Sequence, residues 1–245
     1  MAAQPSLTYD AFLALATADP AVVGLVLKGS RAHDGMATEN SDHDLYVVLA
    51  DGSTTELRRL AGHRTARLDL VIVSLAEFRA AGMPGFERYA LARARVVLDR
   101  LAGGIGEIIA AKARLGADEA FRAAGGWLDA YANSLYRSVK NDRDGDPLAA
   151  RLDATDSVGH LLELLFALHR RPRPYNKYLS WELARHPLPG WDGAALLRDV
   201  DRIAASGDAA VQRRLFARVE AAARRAGHRA VLDGWGEDLR LLRPG

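Results

Sequence analysis

Two acidic residues separated by one residue follow a glycine-serine pair, and this is the part of the sequence best suited to chemistry. Gly29-Ser30 precedes the segment Ser41-Asp42-His43-Asp44-Leu45. Successive side chains of a β-strand point to opposite faces, so Asp42 and Asp44 should lie on one face and His43 on the other. A pair of carboxylates at this spacing suits Mg²⁺, which prefers carboxylate and phosphate oxygens. The pattern predicts an enzyme that uses a nucleoside triphosphate.

A third acidic residue lies inside an apolar run. Asp69 interrupts Leu68 to Val73, whose branched side chains are typical of a buried strand. An ionised carboxylate is costly to bury unless a metal or a charged partner accompanies it. The position of Asp69 therefore calls for one of these two partners.

The elements that would position these residues are short strands in the first part of the chain. Runs rich in Val and Leu predict four strands of one sheet, and a helix from Tyr9 to Ala18, capped by Thr8, should cover one face. The predicted strands span residues 21–27, 45–49, 68–73 and 94–98.

After Gly103-Gly104 the apolar residues recur at helical spacing, and no strand pattern follows. The fold class predicted is α+β: a domain over residues 1–103 with a small mixed sheet flanked by helices, then an all-α helical bundle over residues 104–245. The helices are predicted at 105–115, 120–139, 148–168, 175–186, 194–205, 211–226 and 230–242.

Composition narrows the class of protein. The chain has 245 residues, of which 49% are apolar and 26% charged, as in ordinary globular proteins. It contains no cysteine, which excludes disulfides and thiolate catalysis and fits a cytoplasmic enzyme. No secretory signal or membrane span is recognisable. The net charge of +2 does not indicate nucleic-acid binding.

The sheet half resembles the DNA polymerase beta-like nucleotidyltransferase superfamily through Gly29-Ser30, the loop 31–40 and the segment 41–45. In that superfamily a strand ends in Gly-Ser, and the next strand carries two metal-binding aspartates, with a third carboxylate on a neighbouring strand. The resemblance implies a two-metal Mg²⁺ site, with ATP as the substrate. The implied metal ligands are Asp42, Asp44 and Asp69, and the implied nucleotide-binding residues are Gly29, Ser30, Arg31 and Ser41.

The reaction that follows from this resemblance is attack of an acceptor hydroxyl on the α-phosphorus, with release of pyrophosphate. Asp69 is one candidate for the residue that takes the proton of the hydroxyl. Glu87, beyond the third strand, is the other, although a solvated surface glutamate is the simpler interpretation.

The helical half resembles the C-terminal domains of two-domain antibiotic nucleotidyltransferases through Tyr136 to Lys140 and Pro174 to Leu179. In such proteins the bundle closes over the nucleotide. The resemblance implies nucleotide contacts from Lys140, Tyr175 and Lys177, a role in antibiotic resistance, and a small hydroxylated acceptor in the interdomain cleft. Pairing of two chains around that cleft is also implied by relatives.

The acceptor stays open at this point. A cationic aminoglycoside would need acidic residues, and a lincosamide is a further small-molecule candidate. A protein or transfer RNA modified by a toxin-antitoxin enzyme, and a non-catalytic nucleotide sensor, are the alternatives. Nucleic acid is not favoured, because the arginine pairs are scattered over helices. The acidic candidates are Glu87, Asp142, Asp144, Asp146, Asp153 and Asp156, of which 142, 144 and 146 also fit an acidic turn.

Overall fold

The computed structural model describes residues 7–245, and its contacts divide the chain into two compact units, Met1–Arg114 and Leu115–Gly245. The first is called the sheet unit and the second the helical unit. In chain order the sheet unit contains α1 (Tyr9–Ala18), β1 (Val22–Lys28), β2 (His43–Leu49), β3 (Leu68–Ser74), α2 (Leu75–Ala80), α3 (Arg88–Ala92), β4 (Arg95–Asp99) and α4 (Gly104–Lys112).

The four strands form one mixed sheet in the order β3-β2-β1-β4. β2 and β3 are parallel, and β1 is antiparallel to both β2 and β4. α1 begins at Thr8, whose hydroxyl accepts a hydrogen bond from Ala11 N at 3.2 Å, so the predicted cap is confirmed. α1 covers one face of the sheet through Phe12, and α2 to α4 cover the other through Phe78, Leu91 and Ile105.

The sheet unit continues past the predicted boundary at residue 103. α4 belongs to it, because Ile105 and Ile109 pack into the same core as Val26 and Val48. α4 is followed in sequence by further helices, so hydrophobic periodicity does not distinguish a helix that packs on the sheet from one that belongs to the bundle. The short helices α2 and α3 were not predicted.

The helical unit contains α5 (Ala117–Arg143), α6 (Pro147–Leu168), α7 (Leu179–Arg185), α8 (Gly193–Ser206), α9 (Ala209–Arg225), α10 (Arg229–Asp233) and α11 (Leu239–Leu242). All strands of residues 7–245 lie in the sheet unit. The predicted fold class, a mixed sheet with flanking helices followed by an all-helical region, is confirmed. Within the described chain, no helix combines the length and the apolar character needed to cross a membrane.

Two helix predictions needed correction. The predicted helix 230–242 is broken into α10, a 3-10 helix at Gly236–Asp238, and α11. Gly236 has a φ of +52°, a left-handed conformation that interrupts helical geometry. The predicted helix 175–186 begins instead with a 3-10 helix at Asn176–Tyr178, after which α7 runs from Leu179 to Arg185.

Candidate active site

A row of three charged side chains crosses the sheet at the ends of β1, β2 and β3. Lys28 pairs with Asp44 in the β1-β2 register, and Asp44 pairs with Asp69 in the β2-β3 register. Residues directly opposite each other on neighbouring strands project to the same face. Lys28, Asp44 and Asp69 therefore share the face that α2, α3 and α4 cover farther along the strands. We call these three residues the charged row.

Gly29 allows the carboxylate of Asp44 to lie directly against the backbone. A Cβ atom at position 29 would overlap Oδ2 of Asp44, and the φ of Gly29 is +69°, in the left-handed region. Both facts favour glycine here, because it lacks a Cβ and adopts positive φ without strain. The predicted Gly-Ser turn is formed as a 3-10 helix, Gly29–Ala32, immediately after β1.

His43 points to the opposite face from the charged row, as the alternation predicts. Its ring stacks on Tyr9 of α1, with centroids 3.9 Å apart. Burial, and secondarily the charge of Arg31, lowers the pKa of His43. The neutral ring therefore serves packing on the α1 side of the sheet and does not face the carboxylates.

The carboxylates are close enough to repel one another. Burial raises the pKa of Asp44, and the negative charge of Asp42 raises it further. Lys28 opposes this effect, while Asp69 adds to it. A half-buried carboxylate destabilised by its neighbours in this way favours a cation beside it.

A metal centre of three carboxylates is not assembled by the side chains as they stand. Among residues 7–245, no group of three or more His, Asp or Glu side chains is placed so that it could hold a metal ion. The assignment of Asp69 as a third ligand stays a prediction. The geometry does bring together Asp42 and Asp44, two hard oxygen donors of the kind that Mg²⁺ uses together with phosphate and water oxygens.

Asp69 already has a partner. Nε of Arg64 lies 3.7 Å from its Oδ2, and the Arg64 side chain is 81% exposed. An ion pair between a carboxylate and an exposed arginine contributes little free energy, so the arginine is weakly held. Asp69 therefore has a charged partner, which is one of the two kinds of partner, a metal or a charged group, that its place in an apolar strand predicted. Its role in proton transfer stays a prediction.

Three of the predicted nucleotide-binding residues hold the loop in place. The Ser30 hydroxyl donates to Ser41 Oγ at 2.8 Å, and both side chains are buried. Arg31 donates to the carbonyl oxygen of Ser41 at 2.8 Å and to that of Asp42 at 3.1 Å. These bonds fix the start of β2 against the turn after β1, and so fix Asp42. Direct contact of these residues with a nucleotide stays a prediction.

Glu87, one of the two predicted bases, is bound on both carboxylate oxygens. Nζ of Lys28 lies 2.8 Å from Oε1, and the Tyr46 hydroxyl donates to Oε2 at 2.6 Å. Burial works to raise the pKa of Glu87, but the hydrogen bonds from Lys28 and Tyr46 outweigh it, and the pKa lies below its usual value. A carboxylate that holds its proton this weakly and has both oxygens occupied is a poor general base.

The predicted nucleotide-binding residues of the helical unit lie in two places. Lys140 is half-buried above the Tyr136 ring, 5.1 Å from its centroid, and lines a cavity of about 400 Å³ with Arg137 and Asp153. Lys177 and Tyr175 do not line this cavity; both lie beside Tyr178. Their predicted contacts with the nucleotide stay predictions.

The acidic residues predicted to face a cationic acceptor also lie in more than one place. Asp144 pairs with Arg143 at 2.8 Å, and Asp146 caps α6 by accepting from Ala149 N at 3.0 Å. Residues 144–146 thus form the turn between α5 and α6, whereas Asp142 lies in the last turn of α5. Asp153 and Asp156 lie on α6 and line the cavity described above.

Lys28, Tyr46 and Arg64 are the residues of this site that sequence reasoning missed. One signal was present: a lysine at the end of an apolar strand, directly before Gly29. Its significance depends on which strands pair and in which register, and the amino-acid pattern does not specify that.

Comparison with known proteins gives a similarity to solved structures and none to protein families or curated proteins. The chain is similar to a nucleotidyltransferase-like protein from Exiguobacterium sibiricum 255-15, whose crystal structure is known at 1.90 Å resolution. The TM-score is 0.42 and the identity 14%, over 93% of this chain and 75% of that chain. A similarity of this extent assigns no activity, so the function must be argued from the site itself.

Proposed function

We propose that this protein is a magnesium-dependent nucleotidyltransferase that moves AMP from ATP to a hydroxyl group of a small acceptor and releases pyrophosphate. The observation that supports it is the position of Asp44. Its carboxylate lies against Gly29 in the turn after β1, with Asp42 and Asp69 near enough to raise its pKa. Such a cluster costs stability unless a cation binds to it, so its presence favours a metal-dependent function.

Asp42 and Asp44 would hold the ion, and Mg²⁺ bound there would neutralise charge on the triphosphate oxygens. The hydrogen bonds of Arg31 hold Asp42, and the close approach to Gly29 holds Asp44. The N–H groups of the turn Gly29–Ala32 would supply backbone donors for the phosphate oxygens.

The proposed transfer forms a bond between the acceptor oxygen and the α-phosphorus and breaks the bond to the pyrophosphate oxygen. The proton of the acceptor hydroxyl goes to a carboxylate. Asp69 is the better candidate for this step, because Glu87 is held by Lys28 and Tyr46 whereas the contact of Asp69 with the exposed Arg64 is easily exchanged.

A small hydroxylated molecule, such as an aminoglycoside or a lincosamide, is the acceptor that the resemblance of the helical half favours. Resistance to such an antibiotic is the corresponding physiological proposal. One observation favours a second candidate, an anionic acceptor such as transfer RNA. The segment before β3 places four exposed arginines near Asp69 in sequence, a density of positive charge suited to phosphates: Arg58, Arg59, Arg64 and Arg67.

The test is transfer of the labelled α-phosphate of ATP, with Mg²⁺ or with EDTA, to a panel of aminoglycosides, lincosamides, total transfer RNA and cell protein. We expect a labelled product that depends on Mg²⁺ and is lost in Asp42→Asn. Glu107→Gln, which neutralises an exposed carboxylate of α4, is the matched control and should keep full activity. Nucleotide binding without pyrophosphate release under every condition would replace the proposal with a sensor role.

A further inference from the structure

The loop at residues 81–87 joins α2 to α3, and its start is anchored from α4. Lys112 is 1% exposed, and its Nζ donates to the carbonyl oxygens of Arg79, at 2.9 Å, and of Ala81, at 2.7 Å. A buried ammonium group holds the carbonyls that it binds, because separation would leave its charge without a partner. The start of the loop therefore has a defined position relative to α4.

The end of the same loop is anchored to the candidate active site. Glu87 binds Nζ of Lys28 at 2.8 Å and accepts from the Tyr46 hydroxyl at 2.6 Å. Between the two anchors the backbone is tightly packed, since a Cβ atom at Gly82 would lie 2.8 Å from the N atom of Arg88. A segment that is already fixed in this way loses little conformational freedom when a ligand binds to it.

Phe86 is the aromatic side chain that this fixed loop exposes. Of the large apolar side chains in residues 7–245 it is the most exposed, at 84%, and Met83 of the same loop is 41% exposed. Single apolar residues on a surface are ordinary. An aromatic ring on a fixed backbone, one residue from Glu87, is better explained as a contact surface for a ligand. Residues 81–86 carry no charge, so this surface suits an uncharged planar group.

The order of the charged row indicates which substrate lies near this ring. Asp69, the candidate that would take the acceptor's proton, stands at the β3 end of the row, so the acceptor would approach from there. Lys28 stands at the β1 end, where the chain enters the turn Gly29–Ala32 that would take the triphosphate. The loop is tied to this second end, because Glu87 binds Lys28. Phe86 is therefore on the nucleotide side, and the uncharged planar group of ATP is adenine.

We propose that Phe86 stacks on the adenine ring of bound ATP. Stacking of a base on an aromatic side chain strengthens binding by about tenfold or more. Every nucleobase has a π-face, so the ring would add affinity without selecting adenine over guanine. This inference rests on the proposed function, because it assumes that ATP binds beside the charged row, and it deepens that function by assigning the contact of the base.

The experiment measures the affinity of the full chain for two probes, by titration calorimetry with Mg²⁺. One probe is a non-hydrolysable ATP analogue, and the other is inorganic tripolyphosphate, which lacks the ribose and the base. We expect Phe86→Ala to weaken binding of the analogue by about tenfold and to leave the affinity for tripolyphosphate unchanged. Phe86→Trp should restore the affinity for the analogue, because it returns a planar ring to this position.

Leu15→Ala is the matched control. Leu15 is 54% exposed and belongs to α1, which covers the opposite face of the sheet, so this change removes exposed apolar surface away from the loop. Both affinities should stay at their wild-type values. Circular dichroism should show that all three variants are folded.

The outcomes separate this inference from the function on which it rests. An unchanged affinity of folded Phe86→Ala for the ATP analogue, or an equal loss for both probes, would overturn the stacking role and leave the nucleotidyltransferase proposal intact. Failure of the wild-type chain to bind the analogue would overturn both.

Discussion

The two units treat their buried acidic groups differently. In the helical unit, the Glu182 side chain is 1% exposed and meets Arg171. Glu220 is bound by Arg243 and Arg224, which hold the pKa of its carboxyl below the usual value. In the sheet unit, burial raises the pKa of the half-buried Asp44, and the negative charge of Asp42 raises it further.

The difference separates buried carboxylates that stabilise the fold from buried carboxylates that serve a function. A buried carboxylate whose partners are provided by the chain completes the fold, and its loss weakens the fold. A carboxylate that the chain buries beside a like charge weakens the fold as it stands, and the expected compensation is a bound ligand. Substitutions of the two kinds should therefore have opposite effects on activity and stability, and the following predictions test this contrast from the largest effect to the smallest.

Asp44→Asn should have the largest effect, and it should fall on activity. Removing a ligand of the proposed cation costs several kcal/mol of transition-state stabilisation. We expect the rate of AMP transfer to fall by about a thousandfold, since each factor of ten corresponds to about 1.4 kcal/mol. The measurement is kcat/KM with the acceptor identified by the labelling panel. A variant that keeps more than about a tenth of the wild-type rate would mean that Asp44 binds no essential metal.

Glu182→Gln should do the reverse, with a large effect on stability and little on the carboxylate site. It leaves Arg171, whose side chain is 17% exposed, without its ion-pair partner, a change that costs about 3 kcal/mol in comparable sites. Urea denaturation followed by circular dichroism would measure the loss in free energy of unfolding. The rate of AMP transfer by the folded variant should match that of the wild type. The contrast between the units fails if this substitution is neutral for stability.

Gly29→Ala should affect both properties, because position 29 belongs to the fold and to the site. The added methyl group would overlap Oδ2 of Asp44, and the alanine would have to adopt the left-handed φ of this position. Gly52→Ala is a matched control: its φ of +73° imposes the same backbone strain, but a Cβ there meets nothing within 4 Å. We expect a loss of about 1 kcal/mol for the control from backbone strain, and at least about 1 kcal/mol more for Gly29→Ala from overpacking.

The transfer rate distinguishes the two glycine variants more clearly than stability does. Gly52→Ala should keep the transfer rate, whereas Gly29→Ala should lower it by displacing the Asp44 carboxylate. Equal loss of stability and equal activity in the two variants would show that the close approach of Asp44 to Gly29 has no functional consequence.

The sequence predicts the elements of this molecule well because their signals are local. The runs 45–49 and 68–73 match β2 and β3, since branched apolar residues bounded by turns favour strands at any position in a fold. The helix from Tyr9 to Ala18 is predicted with its cap, because Thr8 makes its hydrogen bond within one turn.

The parts that were missed depend on contacts far apart in sequence. Lys28 and Glu87 are 59 positions apart, and Tyr46 and Glu87 are 41 positions apart. Whether Glu87 is a base or an anchor depends on these contacts, so its role could not be read from its own neighbours in the chain. The contact of Arg64 with Asp69 spans only five positions, but it depends on how the chain turns back before β3, which the amino-acid pattern does not specify.

The smallest expected effect is on the stability of the metal-free protein. Asp44 has a folded-state pKa above the usual value of 3.8, so the folded chain binds its proton more tightly than the unfolded chain does. The stabilisation that this provides is present at pH values below 3.8 and is lost as the pH rises through the folded-state pKa. At neutral pH the ionised carboxylate therefore weakens the fold, and Asp44→Asn should be more stable than the wild type, by up to about 1 kcal/mol, the range of a like-charge pair on adjacent strands.

The pH dependence identifies the cause of that difference. Denaturation in EDTA should show the stability advantage of Asp44→Asn shrinking as the pH falls through the folded-state pKa of Asp44, because the wild-type carboxyl becomes neutral there. Added Mg²⁺ should reverse the order at neutral pH, since a ligand that binds only the folded wild type raises its free energy of unfolding. An advantage that does not change with pH or Mg²⁺ would come from packing, and Asp44 would then belong with the structural acids of the helical unit.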